Sequence, residues 1–351
     1  MPFEIKNGVL RNYREEPGVT EVVIPDGVTR IGDGAFYRCE SLTSITIPES
    51  VVKIDCSAFA FCYRLTSITI PAGVTRIEKY TFHCCMNLTD VVLPEGVTSI
   101  GLLAFACCHE LTNVVLPASL VSIERRAFAD CRSLSSITIP EGVTRLENGA
   151  FSQCSKLTDI AIPDSVTSIG DLAFAWCGKL KSVVLPTGVT DIGDRIFWGC
   201  TDLADESGLV IMHGTLYSCV DDRDSVTIPK DVTRIGDGAF AGCGDLTAIT
   251  IPDNVTSIGR GAFSRCEFLD SITLPDSITS IGEKAFWRCS GLTSIIIPDH
   301  VTHIERETFA ECERLANVII PEGVTNIGEK AFRWCTRLTS ITIPNSVVSI
   351  G

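Results

Sequence analysis

The amino-acid sequence predicts an α/β repeat solenoid, mostly β, in which each 23-residue unit supplies a strand, a turn, an extended piece and a short helical turn. Prolines fall 23 apart at Pro25, Pro48, Pro71, Pro94, Pro117, Pro140, Pro163 and Pro186, then again at Pro229, Pro252, Pro275, Pro298, Pro321 and Pro344. Phenylalanine keeps the same step from Phe36 to Phe197 and from Phe240 to Phe332. Before each proline, branched apolar residues alternate with small polar ones, as in Ser44-Ile45-Thr46-Ile47. Thirteen full units and a partial fourteenth at one fixed period identify stacked coils rather than a single globular core.

The unit Leu42–Leu65 shows why each piece forms. Period-two alternation at Ile45 and Ile47 reads as a half-buried strand. Pro48 ends it, having no N–H for a ladder, and opens a turn with the polar residues that follow. Val51 and Ile54 face inward from a second extended piece. Ala58, Phe59 and Cys62 have the i, i+1, i+4 spacing of one helical turn, and Leu65 closes the circuit. No single unit can bury this set; stacking buries it as continuous columns, so stability is close to a sum of neighbour interfaces.

The pattern L-x-x-I-x-I matches the first half of the general leucine-rich repeat. The whole unit, IPxxVTxIGxxAFxxCxxLTxI, resembles the Treponema pallidum-type (BspA-like) leucine-rich repeat of bacterial surface proteins over about residues 20–351. The resemblance implies a binding or adhesive role. One departure stands out. The position of the general pattern's asparagine holds Ser50, Gly73, Gly96 and Ser119, so the backbone-bonding asparagine ladder is expected to be missing.

A net charge of −14 without Lys/Arg clusters excludes a typical nucleic-acid binder and disfavours anionic membranes. No run of 18 apolar residues exists, so no membrane insertion is expected. The N-terminus lacks a basic segment followed by an apolar one, so no signal peptide is expected in this chain. As written it reads as cytoplasmic; a signal on a natural precursor would place it at the cell surface or outside.

Along the chain, residues 1–24 read as an N-terminal hairpin cap, because Asn7-Gly8 sits between two alternating apolar runs. Residues 25–203 form a first array of eight units. The proline step from Pro186 to Pro229 is 43, one unit plus 20. Its middle repeats the cap pattern: Leu209 matches Phe3, Ile211 matches Ile5, His213-Gly214 matches Asn7-Gly8, and Leu216 matches Leu10. Residues 204–228 are therefore an inserted hairpin, with 204–208 and 221–224 as solvated flanks. Residues 229–351 form a second array of five units and a partial one. The sequence stops in mid-repeat at Ile350-Gly351, so either the natural chain continues or this end packs on another copy as a homodimer.

Candidate binding residues lie beside the F-x-x-C segment. Trp176, Trp198, Trp287 and Trp334 all fall there, with Tyr37, Tyr63 and Tyr80 in or near it and Arg288 and Arg333 among them. Aromatics and arginine are the usual anchors of protein interfaces, although large side chains shielding a solenoid edge have the same pattern. The strand face two residues before each proline, Val23 to Thr342, is a smooth β-branched surface that suits β propensity or a shallow groove for an extended polymer. Nine acidic residues follow the repeat prolines and read as a solvated turn row.

Thirteen of the 17 cysteines form one column, a thiol per unit inside an apolar pattern, which reads as reduced, buried small hydrophobes. Cys56, Cys84, Cys107 and Cys219 are extra. Cys84 and Cys107 stack in adjacent units beside His83 and His109. The spacing is not a zinc motif, so free thiols are expected, with a metal or a disulfide as the alternatives. Histidines are scattered, no phosphate loop, nucleophile elbow or HExxH occurs, and no cofactor or catalytic residue is assigned. The sequence reads as a non-enzymatic protein-protein interaction module, a bacterial adhesion protein by resemblance, with an intracellular self-associating scaffold as the alternative.

Overall fold

The structure is a computed structural model that describes residues 2–220 and 223–351. Asp221 and Asp222 of the expected solvated flank lie outside the described residues. The chain divides into two compact units, Met1–Leu203 and Ala204–Gly351. Each is a mostly-β solenoid.

Each coil places a two-residue strand after the turn and, except before Pro275 and Pro344, a three-residue strand before its proline, as at Arg76–Ile77 and Ser67–Thr69. Both pair in parallel with the coil 23 residues on: Ser67 with Asp90 and Ile68 with Val91 on one side, Arg76 with Ser99 and Ile77 with Ile100 on the other. The second unit repeats this, with Ser225 beside Ala248 and Ser257 beside Ser280. Side-chain alternation turns Ile68 inward and leaves Ser67 and Thr69 in solvent. Each unit opens on an antiparallel hairpin. Phe3–Lys6 pairs with Val9–Tyr13 through Asn7 and Gly8, and Leu209–Met212 pairs with Thr215–Cys219 through His213 and Gly214, all four turn residues at positive φ. The second hairpin strand then joins the short-strand sheet, Leu10 beside Ile31 and Leu216 beside Ile235.

The core is a set of columns. In the first unit the Phe36 to Phe197 rings stack with centroids 5.2–5.9 Å apart and planes within 19°. Tyr13 continues the column onto the hairpin, 5.2 Å from Phe36. Phe240 to Phe332 do the same in the second unit at 5.1–5.5 Å. The extra Cys219 takes Tyr13's place there: its N–H donates to Ala239 as Tyr13's does to Ala35.

The segment expected to be a short helical turn is not helical. The N–H groups of Ala35, Tyr37 and Cys39 donate back to Gly32, Gly34 and Phe36, whereas those of Gly34, Phe36 and Arg38 donate forward to Cys56, Ala58 and Ala60 of the next coil. A helix would spend every N–H on its own carbonyls. Here half of them must serve the neighbouring coil, because buried backbone groups need partners. Two residues per coil adopt positive φ to achieve this, two before and two after each repeat phenylalanine, such as Ser57 and Phe61 around Phe59.

Serine largely takes the place of asparagine in the side-chain ladder. Hydroxyls of Ser50, Ser119, Ser165, Ser277 and Ser346 donate over 2.7–2.8 Å to valine carbonyls of the preceding coil. Asn254 does the same to Val232 at 3.0 Å. A second ladder runs on threonines, Thr66 to Thr43 at 3.1 Å and Thr89 to Thr66 at 3.0 Å. Short side chains suffice because the acceptor lies one strand spacing away. No helix among the described residues is long and apolar enough to cross a membrane.

Candidate partner-binding face

The F-x-x-C arc positions the candidate residues. Its apolar members point inward: Phe59, Ala58 and Cys62 are fully buried. The position two after each phenylalanine turns outward at positive φ. It holds Arg38, Phe61, Cys84, Cys107, Asp130, Gln153, Trp176, Arg265, Arg288, Glu311 and Trp334, with Gly199 and Gly242 in the remaining coils. A left-handed residue with a side chain costs about 1–2 kcal/mol. The lateral face therefore carries strain that glycine would relieve. For Gln153, whose side chain is exposed at φ 64, substitution by glycine is expected to raise stability by roughly 1 kcal/mol. A urea midpoint that falls instead of rising would show that the side chain itself supports the fold.

The candidates form local groups on this face. In the first unit, Phe61 is the hub of one group. It lies 5.4 Å from Tyr37, 6.0 Å from Tyr63 and 5.3 Å from His83, all edge-on. Tyr80 joins through His83 at 5.7 Å, and the Arg38 guanidinium is 5.6 Å from the Tyr37 ring centre. A second group pairs Trp176 with Trp198 at 4.6 Å, with Arg195 5.0 Å from Trp198. Gly199 makes room for it, since a Cβ there would meet Trp176 Cδ1 at 2.8 Å. Trp176 is 41% exposed, and a shallow groove bounded by it runs past Gln153, Arg126, Ala129, Asp130 and Cys107.

In the second unit, Arg265 and Arg288 lie 5.1 and 4.6 Å from the Trp287 ring centre. Trp287 Nε1 and Arg288 Nε both donate to Glu311, at 3.2 and 2.6 Å. Burial raises the Glu311 pKa, but these two hydrogen bonds outweigh it and leave it below the ordinary value. Arg333 lies 4.3 Å from the ring centre of Trp334, which is 58% exposed.

The cysteine column does more than fill space. In eleven coils the thiol donates to the phenylalanine carbonyl of the preceding coil at 3.0–3.3 Å, as Cys62 does to Phe36. Reading the column as a small hydrophobe missed this donor role; its regular offset from phenylalanine was the only trace.

The weak metal candidates converge. Donor atoms of His83, Cys84 and Cys107 lie within 4.8 Å of one another, as do those of Cys107, His109 and Asp130. Cys84 Sγ is 3.5 Å from His83 Nε2, and His83 Nδ1 is buried without a hydrogen-bond partner. His109 Nε2 meets Asp130 Oδ2 at 2.9 Å, and Arg132 Nε donates to Asp130 Oδ1 at 2.8 Å. Sequence reasoning did not include Asp130; its place 23 residues after Cys107 was the available signal. The strand face carries exposed β-branched residues such as Val115 and Val184, without an aromatic anchor among the described residues.

A solenoid of such coils, with aromatic and arginine side chains along its lateral arc, is a protein of the leucine-rich-repeat class, whose members typically serve as non-enzymatic protein-binding modules. The chain is similar to a leucine-rich repeat protein from Bacteroides ovatus, at 29% identity over 96% of this chain and 90% of that one, with a TM-score of 0.60. It is also similar to a leucine rich cell surface protein from Faecalibacterium prausnitzii, at 32% identity over 97% and 89%, with a TM-score of 0.54. A leucine-rich repeat protein from Eubacterium ventriosum, 24% identical over 82% and 81% with a TM-score of 0.50, shares the fold. The chain belongs to the BspA type leucine rich repeat family, whose model matches residues 11–131, 81–204, 210–335 and 302–351 in six copies. No curated protein matches it.

Proposed function

We propose that the chain is a bacterial adhesion protein without enzymatic activity, which captures a protein partner on the lateral arc face. The aromatic–arginine groups around Trp176 and Trp287 carry this reading. Large aromatics beside guanidinium groups are enriched at interface hot spots. Holding Phe61, Trp176 and Trp334 at positive φ is a standing cost that the fold itself does not require, since Gly199 and Gly242 occupy the same position. The cell surface protein of Faecalibacterium prausnitzii supports an outward-facing setting.

The test is a displayed-peptide selection on the immobilised chain, followed by affinity measurements with variants. Trp176→Ala, Trp287→Ala or Trp334→Ala is expected to weaken the selected ligands at its own group by at least about 30-fold, the scale of a hot-spot loss of roughly 2 kcal/mol. Val115→Thr on the strand face should change nothing. Ligands lost with Val115→Thr but retained by all three tryptophan variants would move the site to the strands and overturn the reading. Antibody labelling of intact producing cells tests the surface setting. Light scattering on the chain separates this reading from that of a self-associating scaffold.

A further inference from the structure

We propose that Cys84, Cys107 and His83, completed by His109, form a binding site for a divalent metal ion of the zinc class. Three consecutive coils place donors at the same outward, positive-φ position: Cys84, Cys107 and Asp130. No other coil has a thiol there; the repeat cysteines sit one residue later and face the core. Parallel stacking holds equivalent positions about 4.8 Å apart. His83, beside Cys84, and His109, two residues after Cys107, each bring an imidazole within 4.8 Å of the Cys107 donor. Cys107 belongs to both donor triads, so the two form one continuous cluster.

Zinc binds thiolate sulfur at about 2.3 Å and imidazole nitrogen at about 2.0–2.1 Å in a tetrahedron, which puts neighbouring donors roughly 3.5 Å apart. Cys84 Sγ and His83 Nε2 already stand at 3.5 Å. Within each triad the donors lie no more than 4.8 Å apart, so closing on one ion takes shifts on the order of 1 Å, within the reach of side-chain rotation, with His109 swinging in from the second triad. A further observation points to an ion. His109 Nε2 is held by Asp130, itself held by Arg132, which leaves Nδ1 as the ligand atom. That is the carboxylate–histidine–metal arrangement in which an outer carboxylate fixes the ring. A Cys84–Cys107 disulfide would use neither imidazole nor Asp130.

Charge balances. Binding displaces two protons, and the two thiolates neutralise the dication.

The experiment is a cobalt(II) titration of the full chain under a phosphine reductant. About one equivalent is expected to bind with a thiolate-to-cobalt charge-transfer band that zinc(II) abolishes. Affinity should rise up to about 100-fold per pH unit below the thiol range, because two protons leave. The band should vanish in the Cys84→Ser/Cys107→Ser double variant and survive in Cys56→Ser, with circular dichroism confirming the fold. Asp130→Asn, which keeps all four ligands, should weaken binding by roughly 10- to 100-fold. A titration without the band overturns the proposal, as does a band that persists in the double variant or an affinity indifferent to Asp130→Asn.

Discussion

Raising the pH under reducing conditions is expected to unfold Met1–Leu203 in one steep step beginning near pH 9. All eight column thiols of this unit, from Cys39 to Cys200, have raised pKa values, Cys39 at about 12. Burial is the leading cause except at Cys177, where the adjoining Cys154 thiol comes first. An unfolded thiol titrates near about 8.5. The unfolded chain therefore loses protons before the folded one. The stability these groups contribute is fully present below about 8.5 and is lost as the pH rises from there towards their folded values. Each thiol removes about 1.4 kcal/mol per pH unit in that window, so eight together remove on the order of 10. A domain's whole stability is of that size, roughly 5–15 kcal/mol. Far-ultraviolet circular dichroism and thiolate absorbance against pH, at fixed ionic strength, give the midpoint and the number of protons released. A broad transition, or a urea midpoint unchanged up to about pH 10.5, would mean that the thiols do not stay buried and protonated.

Phe128→Ala is expected to cost about 3–5 kcal/mol. Phe128 is fully buried between Phe105 at 5.3 Å and Phe151 at 5.5 Å, with the three rings within 6° of parallel. Losing the ring removes both stacking faces and leaves a cavity that the flanking backbone cannot close, because strand pairing fixes the distance between coils. In a stacked array the loss lands on two neighbour interfaces rather than on a shared centre. Amide exchange should accelerate first at residues 105–151. Phe128→Leu should recover more than half of the loss. Equal costs for the two variants would show that the column is held by backbone pairing and not by ring packing.

The coil and its stacking were legible in the sequence because proline and phenylalanine repeat at one spacing and Ile45 and Ile47 alternate with polar neighbours. The conformation of the arc was not. Ala58, Phe59 and Cys62 have helical spacing, and nothing about Phe61 or Trp176 as residue types announces a positive φ. The trace that existed lay in the glycines. Gly34, Gly149, Gly238 and Gly261 fall two before a repeat phenylalanine, and Gly199 and Gly242 fall two after. The serine ladder was missed because the expected side chain was asparagine, whereas a hydroxyl reaches one strand spacing equally well. Of the candidate face, the residue types were readable and their grouping was not. Tyr37, Tyr63 and Tyr80 meet only through Phe61 and His83, which requires knowing which coil positions share a side.

The uniform pairing offset has a consequence for the history of the chain and for its errors. Each repeat strand answers to the one 23 residues away, so removing or duplicating one whole period within an array restores its ladders and columns with no new loop to invent. Length can drift by whole coils through unequal crossing-over while the architecture stays constant. The same arithmetic threatens folding, because a strand slipped by a full period meets a nearly identical partner. What separates the true neighbour from its double is the idiosyncratic side chain of each coil, such as Arg30 paired with Asp55 or Trp176 lying over Gly199. The variable face is thus also the chain's page numbering.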